Sequence, residues 1–319
     1  MKNKLQTLIT TIVCSFSVWN FAFANELINL VVPQAPGGGV DIIARIIADK
    51  MTQQGTPTII INKPGAERSI GANFVATSVP NGKTLFVGAL GDSVMLPLFK
   101  FPGLKFTEST LVPVSYFGQQ PSALTASLDF PANNFREFLQ VIKENPNKYP
   151  IGSFSKSSDL HATILFGLVG AKPNIIPYKG DSPMLIELGG NNLPLGLNSF
   201  SGSRELVKNK KVKYIALFSK ERHPDFPNVG TVAEYNGWTG GGFWYGIFAP
   251  EGTSTSTTSS LHQKFNNALA DTDVLKKLVS NGYTVVPKTQ EEFAKFYRDE
   301  VEYYRPMVAE LMAKQEETK

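Results

Sequence analysis

Leu27-Ile28-Asn29-Leu30-Val31-Val32-Pro33-Gln34-Ala35-Pro36-Gly37-Gly38-Gly39-Val40-Asp41-Ile42-Ile43-Ala44-Arg45-Ile46-Ile47-Ala48-Asp49-Lys50-Met51 is the stretch that decides how this chain folds. Leu27 to Val32 is a short apolar, β-prone run, and Pro33 ends it as a strand. From Val40 to Met51 the pairs Ile42, Ile43 and Ile46, Ile47 recur at helical spacing, which predicts an amphipathic helix. Working outward, Thr58 to Ile61 reads as a second strand and Asn62-Lys63-Pro64-Gly65 as a turn. Ile70 to Thr77 reads as a helix, Pro80-Asn81-Gly82 as a turn and Thr84 to Gly88 as a third strand. This βαβαβ order predicts an α/β protein with a mostly parallel sheet and helices on both faces.

A second unit of the same kind begins after Gln119-Gln120-Pro121. Helices are expected over Phe135 to Glu144, Asp159 to Val169 and Ser182 to Leu188. Strands are expected over Tyr149 to Phe154, Asn174 to Tyr178, Leu193 to Leu197 and Val212 to Phe218. The glycine run Gly237-Trp238-Thr239-Gly240-Gly241-Gly242 precedes a strong strand, Phe243 to Phe248. Low-complexity Thr253 to Ser260 then leads into two helices, Leu261 to Ala270 and Glu291 to Leu311. Two flexible crossings, Gly118 to Pro121 and Gly237 to Gly242, have the character of hinges, short segments that absorb the backbone change when domains close. The expected organisation is one discontinuous domain of residues 25–120 plus 241–319 and a second of residues 121–240, with a cleft between.

Composition narrows the partners. Across 319 residues, 42% are hydrophobic and 18% charged, a globular balance with ample apolar material for two cores. Lys2 and Lys4 precede an apolar stretch, Leu5 to Phe23, and Ala22-Phe23-Ala24 supplies the small-x-small pattern of a signal-peptidase site. Residues 1–24 are therefore expected to be a signal peptide cut after Ala24, which exports the chain to the periplasm. Val13 is too large for lipid attachment at Cys14, the only cysteine, so the mature domain folds without disulfides. Without Lys2 and Lys4, 29 of the 31 basic residues remain against 27 acidic ones. That balance gives no argument for nucleic acid or an anionic membrane as partner.

Two loops have binding character. Pro33 to Asp41 sits at the carboxyl end of the first strand, where ligands gather in open α/β sheets. Its three glycines let backbone N–H groups approach a ligand, and the following helix N-terminus favours an anion such as a carboxylate. Asp41 at i and Arg45 at i+4 also suit an ordinary helix ion pair. The second loop is Gly152-Ser153-Phe154-Ser155-Lys156-Ser157-Ser158-Asp159, ahead of the helix that carries His161; capping explains one of its serines and not four. Enzyme signatures fail in turn. Ser153 and Lys156 match S-x-x-K without its companion elements. Gly82-Lys83-Thr84 lacks the first phosphate-loop glycine, because Thr77 stands there. His161, His223 and His262 are scattered, so neither a metal nor a cofactor is expected.

These loops, in order, resemble the tripartite tricarboxylate transporter substrate-binding family, the Bug receptors, across nearly the whole mature chain. The resemblance is carried by Leu30 to Asp41 with Arg45, Asn62 to Ala66 with Ile70-Gly71-Ala72, and Pro80 to Leu85. It continues through Ile176-Pro177-Tyr178-Lys179-Gly180, Pro227 to Glu234, and Trp244 to Pro250 with Gly252-Thr253. It implies a two-domain periplasmic binding fold of type II character that closes on its ligand like a flytrap and catalyses nothing. Members capture carboxylates, acidic amino acids or aromatic acids, largely through backbone amides and ordered water, and deliver them to membrane permease subunits; a monomer is expected.

Carried over by position, Gln34, Pro36, Gly37, Gly38, Gly39, Val40 and Asp41 would hold one ligand end, and Leu90, Asp92 and Ser93 a strand-end loop beside it. Ser153, Phe154, Ser155, Ser157, Ser158 and His161 would line the second domain's side, with Tyr178 and Asn198 at the cleft edge. Three departures stand out: Asn198 where an aspartate is usual, Asp92 where the family is neutral, and Glu67-Arg68 in place of a glycine pair. The second suggests that Asp92 meets a basic or amide group on the ligand, and no arginine clamp is expected. A receptor that hands its ligand to a membrane sensor would share every one of these residues.

Overall fold

A computed structural model describes residues 27–236 and 242–316. The expected signal peptide and most of the Gly237 to Gly242 crossing lie outside them. The first half-sheet follows the periodicity closely: β1 (Ile28–Val32), α1 (Gly39–Gln53), β2 (Thr58–Asn62), α2 (Ser69–Ala76) and β3 (Thr84–Ala89). α1 forms where expected because Val40, Ile43, Ala44, Ile47, Ala48 and Met51 make one buried stripe. A π-helical turn at Leu90–Met95 and the short α3 (Leu96–Leu98) then lead to β4 (Leu111–Gln120).

Only Pro121 separates β4 from β5 (Ser122–Ser127), and there the chain passes from one sheet to the other. The second unit runs α4 (Phe135–Glu144), β6 (Ile151–Ser153), α5 (Lys156–Gly167), β7 (Ile175–Pro177), α6 (Asp181–Gly189), β8 (Leu195–Ser199), α7 (Phe200–Lys208) and β9 (Val212–Phe218). α4 begins at Asn134, whose side chain accepts the Glu137 N–H, and it buries Phe135, Phe138, Leu139 and Ile142 at i, i+3, i+4 and i+7. After α8 (Ala233–Asn236) the chain returns through β10 (Phe243–Pro250), α9 (Thr255–Leu269), α10 (Thr272–Ser280) and α11 (Gln290–Glu316).

The two sheets have matching plans. One is ordered β2-β1-β3-β10-β4 and the other β7-β6-β8-β5-β9. In each, four strands share a direction and one runs against both neighbours, β10 in the first and β5 in the second. The molecule is thus two α/β domains, each a mixed sheet flanked by helices. α11 locks the returning chain to the first sheet: Phe293, Tyr297, Val301, Tyr304 and Val308 bury one face against Phe86, Tyr116, Trp244 and Phe248. Gly246 makes room for the Phe293 ring, since a Cβ there would lie 2.3 Å from it.

Three expectations change. Gly118 is not loop; it lies inside β4, paired with Tyr245, with the Thr284 carbonyl against it. Thr255 to Ser260 is not low-complexity linker but the opening of α9, capped by Ser254. α10 is a helix that the sequence pattern does not announce.

Candidate functional site

The carboxyl ends of both sheets meet at one interface, and its floor is the loop after β1. Asp41 organises that loop. Its oxygens accept from the Gly37 N–H at 2.9 Å, Arg45 Nε at 2.8 Å and Asn62 Nδ2 at 2.9 Å. Those donors, the Arg45 guanidinium foremost, outweigh the effect of burial and hold the carboxyl below its ordinary range. Asp41 therefore braces the loop. Val40 is core, packed with Ile43 and Ile47.

What meets the α1 N-terminus is a carboxylate of the other domain. The Gly39 N–H donates to Asp181 Oδ2 at 3.2 Å, and Asp181 also accepts from the Ser199 N–H at 3.4 Å and from the Ser199 hydroxyl. Asp181 is fully buried. Burial pushes its carboxyl up, while the Ser199 hydroxyl, the charge of Arg68 and the two N–H groups oppose that. Three donors on two oxygens are the environment of an ionised group. Nearby, Ser182 Oγ donates to the Pro36 carbonyl at 2.9 Å and the Ala35 N–H to the Lys179 carbonyl at 3.4 Å. The closeness requires glycine: a Cβ on Gly39 would lie 2.6 Å from Ser199 Oγ and 2.7 Å from Gln120 Nε2.

Beside this pole lies a buried ion pair. Arg68 Nη1 donates to Asp92 Oδ2 at 3.0 Å, and the two side chains are 3% and 0% exposed. The other Asp92 oxygen accepts from the Ala89 N–H at 2.6 Å. Asp92 is thus paired with the protein's own arginine, and an arginine does stand at the interface. Its guanidinium lies 4.7 Å from the centre of the Phe154 ring in the opposite domain. Ser93 is occupied as well, its hydroxyl on the Ala89 carbonyl at 2.6 Å and its carbonyl taken by the Tyr297 hydroxyl. Leu90 is core, packed with Val94 and Met95.

Arg68 reaches this position through an uncommon backbone. Ala66, Glu67 and Arg68 have φ of 43°, 55° and 76°, three consecutive non-glycine residues in the left-handed region. Such strain persists where surrounding structure imposes it. Glu67→Gly is expected to stabilise the fold by about 0.5–1 kcal/mol, the relieved strain less the added unfolded-chain entropy. A urea midpoint at or below wild type would show that Glu67 is unstrained.

The serine loop faces this pair from the second domain. Ser155 caps α5 by accepting the Ser158 N–H at 3.3 Å, and its hydroxyl also meets Ser157 at 2.9 Å and Ser158 at 3.1 Å. Ser153 Oγ donates to the Ser155 carbonyl at 3.2 Å. All four serines are buried, and Ser155 and Ser157 press against Gly91, where a Cβ would lie 2.7 Å from Ser155 Cβ. His161 stacks on Phe218 at 5.5 Å between centroids and lies near Phe243. Burial pushes its imidazole down to about 3, so it is neutral at physiological pH.

The two shifted buried groups act oppositely on stability. Burial raises Asp92 to about 6, so its contribution is full below the ordinary value of 3.8 and is lost as pH rises through about 6. His161 is depressed, so its contribution is full above 6.5 and is lost as pH falls toward 3. Between about pH 4 and 6 the two offset each other. His161→Gln removes one limb, so its stability relative to wild type should rise by about 2 kcal/mol between pH 7 and 4.5. Urea melts at the two pH values check this; parallel changes would show that His161 is not buried neutral.

The buried polar atoms without a hydrogen-bond partner among the described residues include Gln34 Oε1, Arg68 Nε and Asn198 Oδ1. Gln34 and Arg68 lie where the domains meet. Gln34 Oε1 sits beside Gly38 at the α1 N-terminus; Asn198 immediately precedes Ser199 in β8 and gives its Nδ2 to the Ser199 carbonyl. Arg68 borders a cavity of about 240 Å³ between Gly65–Arg68 and Pro177–Lys179, with half-exposed Tyr178 on its far wall. Among the described residues no group of three or more His, Cys, Asp or Glu side chains could hold a metal ion. Of the expected residues, then, Gln34, Gly38, Gly39, Phe154, Tyr178, Asn198, the serines and His161 converge here. Arg68 and Asp181 were missed as site residues: the first announces itself only as a departure after Pro64-Gly65-Ala66, and the second reads as a routine first-turn acid.

A family model described as "Tripartite tricarboxylate transporter family receptor" matches residues 43–312. The chain belongs to this receptor family. Its relatives include Protein BugT of Bordetella pertussis, 28% identical over 90% of this chain and 90% of that one. Another is the protein of Pseudomonas sp. (strain P51) from the tcbD–tcbE intergenic region, 30% identical over 91% of this chain and 87% of its own length. The solved structure of the periplasmic binding protein BugD is 29% identical, with a TM-score of 0.83, covering 91% of this chain and 97% of that one. MatC from Rhodopseudomonas palustris, solved with bound malate, is 28% identical with a TM-score of 0.82, covering 89% and 99%. The family consists of periplasmic solute receptors. No described helix is long and apolar enough to cross a membrane.

Proposed function

We propose that this receptor captures one small organic acid between its two domains and delivers it to the permease subunits of a tripartite tricarboxylate transporter. It acts as a monomer and catalyses nothing. The observation that carries this reading is Arg68, a buried guanidinium between the domains whose Nε lacks a partner and whose flank opens on the 240 Å³ cavity. A ligand carboxylate there would complete the arginine's hydrogen bonds, and burying an unmade donor is costly enough to favour that. The malate in MatC supports an acid ligand. The chain crosses between the domains at Pro121, where a hinge would lie, and the mature chain would begin at Asn25 after export.

A thermal-shift screen of the mature protein against small carboxylic acids tests the reading. An acid at a hundred times its dissociation constant should add roughly 2.7 kcal/mol of stability by mass action. No stabilisation by any acid, or chemical turnover of one that binds, would overturn it.

A further inference from the structure

We infer that Asp181 is an internal carboxylate filling the anion position at the α1 N-terminus, so that the ligand carries one acid group, for Arg68, and an N–H-bearing group such as an amide at its other end. This deepens the acid-receptor reading and rests on it. A helix N-terminus opened by three glycines would ordinarily receive a ligand's anion. Here the Gly39 N–H already donates to Asp181 Oδ2, and the Ser199 N–H and hydroxyl hold the same carboxylate.

The polarity of the interface is therefore split into two poles. At one, Arg68 offers an unpartnered donor, Nε, with Asp92 confined to Nη1. At the other, Asp181 and the unpartnered acceptor Gln34 Oε1 crowd the α1 N-terminus. The acceptor pole has a carboxylate and an amide oxygen that lacks a donor. A second carboxylate there would face a like charge in a site shielded from water, whereas an amide N–H would satisfy an acceptor that is otherwise left bare.

Matched acids test this, because a carboxylate and a primary amide have nearly the same shape. Calorimetry of the wild-type protein would compare malonate with malonamate, succinate with succinamate, glutarate with glutaramate, and adipate with adipamate. The tightest pair should favour the monoamide by at least tenfold, and Asp181→Ala should narrow that preference by at least tenfold. A wild-type protein that binds the diacid as tightly as its monoamide would overturn the inference, whether or not Asp181→Ala folds. So would a folded Asp181→Ala with an unchanged ratio. Failure of every member of both series to bind would instead bring down the acid-receptor reading, and this inference with it.

Discussion

Arg68→Met should destabilise the protein by about 3–5 kcal/mol at pH 8, because it leaves Asp92 ionised, buried and without its counter-charge. The loss should shrink at pH 5, where an unpaired Asp92 takes up a proton and so avoids the buried charge. Replacing both partners, Arg68→Met with Asp92→Leu, should restore stability to wild type or above it, since buried ion pairs are often no better than apolar packing of similar volume. The same double variant should bind no acid. Urea melts and calorimetry on the three proteins separate the two roles. If the double variant keeps wild-type affinity for an acid, Arg68 is structural only.

Gly39→Val should lower ligand affinity at least 100-fold while leaving each domain folded. A Cβ at this position would lie within 2.8 Å of Ser199 Cβ and Oγ and of Gln120 Nε2, and valine adds two further methyl groups. Overpacking of this kind costs about 1–3 kcal/mol or more. Ser199 belongs to the other sheet, so its share of that cost falls on the closed arrangement; Gln120 lies in β4 of the first sheet, where the clash is with the far end of a flexible side chain. Circular dichroism should be unchanged and calorimetry should show the loss. Wild-type affinity in a folded Gly39→Val protein would mean that the domains do not close at Gly39 when ligand binds.

The sequence makes the βαβαβ order of the first half-sheet readable because each element there has a clean period: six β-prone residues, then a helical stripe of isoleucines. It does not reveal β4 and β5. Leu111 to Gln120 contains Pro113 and Gly118, which weaken a strand pattern, and no helix separates the two strands to mark them off. The second surprise, a strand running against its neighbours in each sheet, follows from long-range pairing that no local period encodes. The site was legible in its loops and not in its partners. Gly37 to Gly39 and the serines around 155 announce helix N-termini from local chemistry. Arg68 with Asp92 and Gly39 with Asp181 are pairings across 24 and 142 residues. A sequence shows the carboxylates of Asp41 and Asp92 without showing which internal donors hold them.

The central claim is that one acid is held between the two domains, and calorimetric titration tests it most directly. The acid that stabilises the protein most should bind the wild type with one molecule per chain and a negative heat-capacity change, and should fail to bind Gly39→Val. Equal binding to both proteins would place the acid outside the interdomain cleft and contradict the account.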